Sequence, residues 1–366
     1  MSKGPRNSIT GADGVRMYQW LPATASPETF DWLFAHGLTI DPVEVLSVTS
    51  VKALCGEAIY LVQWKLNNIA DAATGMRKEK RIGTRGGVKE VRVSDEYPGE
   101  FVRRMVASGG EQGKLDAARA WLKETADNPR AMAAVRGTLV HEAIELGISR
   151  DRISDEYVES AFTRLSTRDR NATHGGVGSQ DVLFVQNCMA NYWDMRASVP
   201  IVILAREVQV WNLTVGYAGT ADVLLWVLAD DWSQYTPDFV VAMQKLADKG
   251  LITQADIDSA GGAVVLGDWK TSADVHTDNV VQVHAYLGTE FAATDGVIDL
   301  RLTEMIRKAK EAAIVHIRPD GWAIYFVDFT QPVMYAFLGS VAFARFLAMY
   351  KEPDRLFTRA LKGHAE

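Results

Sequence analysis

Two segments of the chain decide its fold: REVQVWNLTVGYAGTADVLLWV (residues 206–227) and AVVLGDWKTS (residues 263–272). In the first, the tight turn Gly216-Tyr-Ala-Gly219 is followed by an apolar run that predicts a buried strand, and Asp222 lies at the start of that run. The second begins with another apolar run, which predicts a second buried strand and leads directly to Asp268. Each carboxylate is therefore expected on or beside a strand, against an apolar wall.

The order of residues 268–270 is informative because successive side chains of a strand point to opposite faces. Asp268 and Lys270 then face one side, and Trp269 faces the other. Cleavage of a phosphodiester needs oxygen ligands for a hard divalent cation, a water held against the phosphorus, and positive charge to stabilise the negative charge that develops. Asp222 and Asp268 can supply the ligands, and Lys270 the charge next to the water. This grouping predicts a metal-dependent phosphodiesterase site.

Two further motifs flank these segments: Arg136-Gly-Thr-Leu-Val-His141-Glu-Ala-Ile-Glu145 upstream and Gln282-Val-His-Ala-Tyr286 downstream. Together the motifs resemble the RecB-like exonuclease branch of the PD-(D/E)xK nuclease superfamily. That branch carries, in this order, a helical G-x-x-x-H, a G-x-x-D at a strand, a D-x-K-T, and a Q-x-x-x-Y on the next helix. The matches here are Gly137 with His141, Gly219 with Asp222, Asp268 with Lys270 and Thr271, and Gln282 with Tyr286. The resemblance covers roughly residues 130–330.

The resemblance implies an α/β fold with a PD-(D/E)xK restriction-endonuclease-like core, in which a central mixed sheet is flanked by helices. It also implies a deoxyribonuclease that depends on Mg²⁺ or Mn²⁺. The implied metal ligands are Asp222, Asp268, His141 and the main-chain carbonyl of Trp269. Lys270 would orient the attacking water or help to deprotonate it. Gln282, Tyr286 and Thr271 would contact and position the DNA strand.

Members of the branch that carry an iron–sulfur cluster need four cysteines. This chain has only Cys55 and Cys188, so no iron–sulfur cluster is expected. Two cysteines far apart in sequence also argue against a disulfide framework.

Residues 129–147 have a proline near the start and a glycine at the end, which predicts a helix. On it, His141 and Glu145 share one face. Three interpretations of His141 compete: a buried polar residue without a function, part of a zinc-protease helix, or a metal ligand of the nuclease site. The second would need histidine at position 145, and the order of the other motifs favours the third. Glu145 and Glu207 are additional candidate ligands, although Glu207 could equally pair with a nearby base such as Arg206.

The segment GMRKEKRIGTRGGVKEVRV (residues 75–93) contains seven basic residues and two acidic ones. Glycines and basic side chains together predict a loop that follows a phosphate backbone, and a solvated linker is an equal alternative. The candidate DNA-contacting residues of this basic loop are Arg77, Lys78, Lys80 and Arg81.

The whole chain carries 39 Lys and Arg against 46 Asp and Glu, a net charge of −7. This balance argues against a protein that coats DNA nonspecifically, but it suits a nuclease whose acidic ligands lower the net charge. No apolar run reaches the roughly 18 residues of a membrane span, and the first residues lack a secretory apolar segment. We therefore expect no membrane association and a cytoplasmic location, that of the host cell if a phage encodes the chain.

We predict three parts along the chain. A mostly helical N-terminal region with the basic loop spans residues 1–110, the nuclease core spans residues 111–350, and a tail spans residues 351–366. The core contains an insertion at residues 229–262, which we expect to form an arm beside the site with one helix from Pro237 to Lys249.

The expected function is exonucleolytic hydrolysis of DNA in recombination, replication or repair in a phage or mobile element. The partner would be a single-strand annealing protein or another recombination factor. Exonuclease action follows from the resemblance alone, so a structure-specific or single-strand endonuclease is an alternative. A catalytically silent nucleic-acid-binding relative would have lost a carboxylate or the lysine, and this chain keeps all of them. A zinc peptidase using the His141 helix would leave the D-x-K-T and Q-x-x-x-Y motifs unexplained.

Overall fold

A mixed central sheet with helices on both faces organises the chain. The computed structural model describes residues 8–10, 16–21, 26–52, 76–82, 88–94, 133–166, 179–228 and 235–349. The strands are β1 (Ser8–Thr10), β2 (Arg16–Trp20), β3 (Val43–Ser47), β4 (Met76–Ile82), β5 (Val88–Ser94), β6 (Ile201–Asn212), β7 (Tyr217–Val227), β8 (Ala263–Lys270), β9 (Phe291–Thr294), β10 (Val297–Ile298), β11 (Glu311–Arg318) and β12 (Gly321–Asp328).

The helices are α1 (Pro27–Ala35), α2 (Val48–Lys52), α3 (residues 133–145), α4 (Asp155–Ser166), α5 (Ser179–Ser198), α6 (Pro237–Ala247), α7 (Gln254–Ala260), α8 (Thr277–Leu287), α9 (Leu300–Lys308) and α10 (Gln331–Met349). The predicted tail at residues 351–366 and the predicted boundary at residue 110 lie outside the described residues. Within the described ranges, no helix is long and apolar enough to cross a membrane.

Strand β7 is the centre of the sheet. Along one edge it pairs antiparallel with β6 over its whole length. Along the other edge, β8 pairs antiparallel with Val223–Val227 and β3 pairs parallel with Tyr217 and Ala218. The sheet continues from β8 through the parallel β11 to the antiparallel β12, and from β3 to β2 and β1. On this second edge, between β3 and β8, residues 219–222 of β7 have no strand beside them in the described part of the chain.

Both faces of the sheet are buried, which explains the continuous apolar runs in β7 and β8. Val223, Leu225 and Val265 pack against α3, α4 and α5. The intervening residues Leu224 and Leu266 pack on the opposite face against α2, α8 and α10. The prediction that both runs form buried strands is confirmed, as is the coarse prediction of an α/β fold with a mixed sheet flanked by helices.

The prediction of a mostly helical N-terminal region does not hold for the residues described there. Strands β1, β2 and β3 belong to the central sheet, and the aromatic side chains of β2 pack onto it. Trp20 makes edge-to-face contacts with Trp211 and Phe291, each with ring centroids 5.2 Å apart. Because β3 pairs with the central strand, this part of the chain is built into the sheet that carries the motifs.

The predicted basic loop at residues 75–93 is also wrong in its form. Its described residues make a two-stranded antiparallel hairpin, in which β4 and β5 pair in register from Met76↔Ser94 to Ile82↔Val88. Charged residues occupy every position from 77 to 81 in β4, and this unbroken run concealed the strand pattern. The glycines that suggested a loop fall outside the described residues.

The described part of the insertion, residues 235–262, packs against the sheet and does not form the expected arm beside the site. Its helix begins at Pro237 as predicted and ends at Ala247, and its apolar residues join the main core. The Gln244 amide donates to the main-chain oxygen of Ile203 at 3.0 Å and accepts from its nitrogen at 2.9 Å. The side chain thus satisfies main-chain groups of β6 as a neighbouring strand would.

Candidate active site

The candidate site lies in the gap beside β7. Strand β3 runs parallel to β7 and β8 runs antiparallel to it, so the two strands approach the gap from opposite ends of the same edge. Each strand ends there: β3 at Ser47, where α2 begins, and β8 at Lys270. The ends of two strands and the start of a helix therefore lie in this gap, next to residues 219–222 of β7.

The two motif carboxylates face each other across this gap. The β7–β8 register ends at Val223↔Gly267, and one further step places Asp222 opposite Asp268. Directly opposed residues of antiparallel strands have Cβ atoms about 4.5–5.5 Å apart. Burial, followed by the charge of Asp268, raises the pKa of Asp222 to about 8. Two acids are thus held together where water does little to screen them.

Asp222 has two close partners in addition to the opposing acid. The Trp269 N–H donates to its Oδ2 atom at 2.7 Å, and the Nδ1 atom of His141 lies 3.7 Å from the same oxygen. His141, Asp222 and the main chain of Trp269 are therefore neighbours in the structure, and their role as metal ligands stays a prediction.

Asp268 is held from two sides and is almost fully buried, with 2% of its surface exposed. Its Oδ1 atom accepts a hydrogen bond of 2.9 Å from the Gln282 amide. The Lys270 ammonium forms an ion pair with Oδ2, although this oxygen accepts no hydrogen bond of good geometry. As expected from strand alternation, Asp268 and Lys270 share a face, while Trp269 packs on the opposite face with the α3–α5 core.

Lys270 is an ammonium in this arrangement. Burial lowers the pKa of its side chain, but the charges of Asp268 and Asp222 outweigh burial and leave the pKa raised. The side chain is therefore poised to donate hydrogen bonds and to stabilise negative charge.

His141 is neutral in the same surroundings. Burial, together with the charge of Lys270, lowers the pKa of its imidazole to about 4. A neutral imidazole keeps a lone pair for a metal ion. About 30% of the side chain is exposed, so it borders the opening of the gap.

The two motif glycines make room for site residues. A Cβ atom at Gly137 would lie 3.0 Å from the Thr271 hydroxyl, and one at Gly219 would lie 2.8 Å from the Tyr286 ring. Helix α3 can therefore pack directly against the residue that follows Lys270. The glycines of the G-x-x-x-H and G-x-x-D motifs thus act through packing.

Gln282 and Tyr286 do not have the surroundings expected of DNA-contacting residues. Their exposed fractions are 7% and 2%. The Gln282 amide donates to Asp268 and, at 2.8 Å, to the Tyr286 hydroxyl. Both residues lie behind Asp268 and support it, as outer-shell partners of metal ligands do.

Glu207 and Glu145 form the outer border of the site. In the β6–β7 register, Glu207 lies opposite Asp222, between the pairs Arg206↔Val223 and Val208↔Ala221. Its φ of +52° is unusual for a residue with a side chain, and strained residues of this kind cluster at functional sites. Partial burial, followed by the charges of Asp222, Glu145 and Asp268, raises the pKa of Glu207, and the residue still reaches the surface.

The candidate phosphate-binding residues Arg77, Lys78, Lys80 and Arg81 all lie in β4, whose backbone contacts α5. Their side chains fall outside the described part of the chain. Contact between these residues and DNA therefore stays a prediction.

Lys52 is a site residue that sequence reasoning missed. It ends α2, and its ammonium contacts Gln282 and Asp278 on α8. The only sequence signal is its position shortly after β3, and that signal becomes informative only once β3 is known to pair with β7.

The residues of the gap fit a hard divalent cation. No group of three or more His, Cys, Asp or Glu side chains is gathered as a complete ligand set in the described ranges. Mg²⁺ needs no such set, because it binds through one or two carboxylates and keeps several waters. The Oδ2 atom of Asp268 pairs with the Lys270 ammonium but accepts no hydrogen bond of good geometry, so this buried oxygen and the Asp222 carboxylate are suitable ligands for such a cation.

No protein-family model matches the chain, and no curated protein matches it in sequence. The function must therefore be inferred from the residues and their geometry.

Proposed function

We propose that this chain is a metal-dependent deoxyribonuclease with a PD-(D/E)xK core of the RecB-like type, which hydrolyses phosphodiester bonds with Mg²⁺ or Mn²⁺. The observation that carries the proposal is the opposition of Asp222 and Asp268 across neighbouring strands, with the Lys270 ammonium against Asp268. Two acids and an amine in one gap are the groups that this chemistry requires.

Each residue has a distinct role in the proposed reaction. Asp222 and Asp268 would hold the cation, joined by the neutral imidazole of His141 and the main-chain carbonyl of Trp269. The cation supplies positive charge and lowers the pKa of a bound water. The charges of Asp268 and Asp222 favour the ammonium form of Lys270, which would orient the water and stabilise negative charge on the phosphate.

The border of the gap suits a polymeric substrate. His141 and Glu207 reach the surface there, so a strand passing over the opening can place one phosphate against the buried acids. We propose that the substrate is DNA and that cleavage is exonucleolytic, in phage or mobile-element recombination, replication or repair in the cytoplasm. A single-strand annealing protein would be the partner. The exonuclease and partner proposals are supported by the motif resemblance.

Incubation of the purified protein with DNA tests the proposal. End-labelled linear DNA and closed circular DNA of the same sequence are each incubated with Mg²⁺, Mn²⁺ or EDTA. We expect degradation of the linear DNA with either metal, none with EDTA, and an intact circle. Nicking of the circle would favour the endonuclease alternative.

Matched variants separate chemistry from folding. Asp268→Asn preserves the shape of the buried acid and should abolish cleavage. Asp258→Asn changes an exposed acid that pairs with Lys308 away from the gap, and it should cleave as the unchanged chain does. A folded, unchanged chain that cuts no DNA with either metal would overturn the proposal.

A further inference from the structure

We infer that Lys52 is a positioning residue of the proposed nuclease site, which fixes the side chain of Asp268 through Gln282. The inference rests on the proposed function and adds to it a residue from the N-terminal part of the chain. Lys52 contacts neither of the opposed acids directly in the described structure. Lys52 would therefore affect the cation indirectly, by orienting the side-chain amide of Gln282, which donates to Asp268.

Lys52 bridges two residues that lie one turn apart on α8. Its Nζ atom donates to the Oε1 atom of Gln282 at 3.1 Å and pairs with the Oδ2 atom of Asp278 at 2.9 Å. The Lys52 and Asp278 side chains are 16% and 15% exposed, respectively. An ion pair that is mostly removed from water holds its geometry better than a surface pair.

These contacts determine which way the Gln282 amide points. An amide has one acceptor oxygen and one nitrogen with two N–H groups. The nitrogen faces two acceptors, Oδ1 of Asp268 at 2.9 Å and the hydroxyl of Tyr286 at 2.8 Å. The oxygen faces the Lys52 ammonium. In the flipped orientation, oxygen would face the Asp268 carboxylate and nitrogen would face the ammonium, and both contacts would be repulsive.

The position of Lys52 is itself fixed by the sheet. Helix α2 begins directly after β3, at the gap beside β7. The Ser50 hydroxyl accepts from the Arg16 nitrogen at 2.9 Å and donates to the Arg16 oxygen at 3.3 Å, which ties α2 to β2. Val48 and Val51 are fully buried in the main core. These contacts fix the short helix α2 and thereby place the Lys52 ammonium next to Gln282.

Loss of the Lys52 charge should weaken the hydrogen bond by which Gln282 fixes the side chain of Asp268. Without the ammonium, the Gln282 oxygen has no cationic partner, and the flipped amide is no longer excluded on that side. Removal of outer-shell partners of metal ligands typically costs 10–100-fold in metal affinity or activity. We expect an effect near the lower end, about tenfold, because Tyr286 still accepts from the Gln282 nitrogen.

Lys52→Met tests the inference because it keeps the apolar stem and removes the charge. The measurements are the Mn²⁺ dissociation constant from the free-ion electron paramagnetic resonance signal, the Mn²⁺ concentration for half-maximal DNA cleavage, and Tm in EDTA. We expect both metal concentrations to rise about tenfold and Lys52→Arg to recover part of the loss. The control Lys308→Met removes an exposed ammonium paired with Asp258 and should leave both values unchanged.

A double-mutant cycle distinguishes positioning from a general structural effect. If Lys52 acts through Gln282, Lys52→Met should change Mn²⁺ affinity little in a Gln282→Ala background. Equal effects in both backgrounds would overturn the inference. Should Lys52→Met fail to fold, Lys52→Gln serves in the same cycle, since it keeps a polar tip but lacks the charge and the reach.

The outcomes also separate this inference from the proposed function. If the unchanged chain neither binds Mn²⁺ nor cleaves DNA, the proposed function fails, and this inference fails with it. If the unchanged chain does both and Lys52→Met has the same Mn²⁺ affinity, only the role of Lys52 is wrong.

Discussion

The close contact between Gly219 and the Tyr286 ring allows a quantitative test of how the site is packed. In Gly219→Ala, the new Cβ atom would lie 2.8 Å from the Cε1 atom of Tyr286 and 3.1 Å from the Cγ2 atom of Val48. Carbon atoms in ordinary contact are about 3.5–4.0 Å apart. To reach the lower limit of ordinary contact, the distance to the ring would have to grow by about 0.7 Å and the distance to the valine by about 0.4 Å.

Neither neighbour can move freely. Tyr286 is 2% exposed and accepts a hydrogen bond from Gln282, and Val48 is fully buried at the start of α2. Insertion of a methyl group into a packed core typically costs about 1–3 kcal/mol. We therefore expect Gly219→Ala to lower the free energy of unfolding by about this amount and to reduce cleavage, because displacement of Tyr286 also disturbs Gln282.

The assay is urea-induced unfolding followed by circular dichroism, with Tm as a second measure. The control is Gly339→Ala on α10, where a Cβ atom would meet nothing within 4 Å. Alanine is favoured over glycine in a helix by about 1 kcal/mol, so the control should be as stable as the unchanged chain or more so. Replacement of Tyr286 by the smaller leucine should reduce the cost of Gly219→Ala. Equal stability of Gly219→Ala and the unchanged chain would refute the reasoning.

Three other predictions follow from the site. Lys270→Met should abolish cleavage and also lower Tm, because it leaves the buried carboxylate of Asp268 without its cation; measurable single-turnover cleavage by the folded variant would contradict its role. Gly137→Val should reduce activity, because even its Cβ atom would lie only 3.0 Å from the Thr271 hydroxyl and the methyl groups beyond it would displace that residue; unchanged kcat would count against this packing. In EDTA, the pKa of Asp222, raised to about 8 chiefly by burial, makes the folded chain hold a proton that the unfolded chain loses near pH 4. The contribution of Asp222 to stability should therefore fall as pH rises from about 4 to about 8, while the lowered pKa of His141 opposes this fall below about pH 6.5. The measurement is the difference in thermal stability between the unchanged chain and Asp222→Asn, which should decrease over this pH range.

Local patterns in the sequence were sufficient to predict the central part of the site. Strand alternation predicted that Asp268 and Lys270 share a face, and the apolar runs predicted two buried strands. Both signals lie within a few residues and do not depend on the rest of the chain. The β7–β8 pairing then brings Asp222 opposite Asp268.

Contacts between distant parts of the chain could not be predicted in this way. Lys52 and Gln282 are 230 positions apart, and nothing near either residue indicates the other. Helix α8 gave a misleading signal for a related reason. Its buried positions include Asn279, Gln282 and His284, so polarity does not reveal which face points inward. Gln282 and Tyr286 therefore suggested contact with DNA when they in fact support a carboxylate.

The end of strand β8 links the construction of the sheet to the proposed chemistry. Where a ladder stops, each main-chain N–H needs another acceptor, since a buried unpaired donor costs about 1–3 kcal/mol. At Trp269 the acceptor is the Oδ2 atom of Asp222, at 2.7 Å. The same oxygen lies 3.7 Å from the imidazole of His141. An asparagine at position 222 could still accept from the Trp269 N–H through its amide oxygen, but it would lack the charge that holds a cation. The isosteric change Asp222→Asn should therefore keep the geometry of the gap and remove the charge of this residue. The fold needs only an oxygen at position 222, whereas the proposed reaction needs the carboxylate.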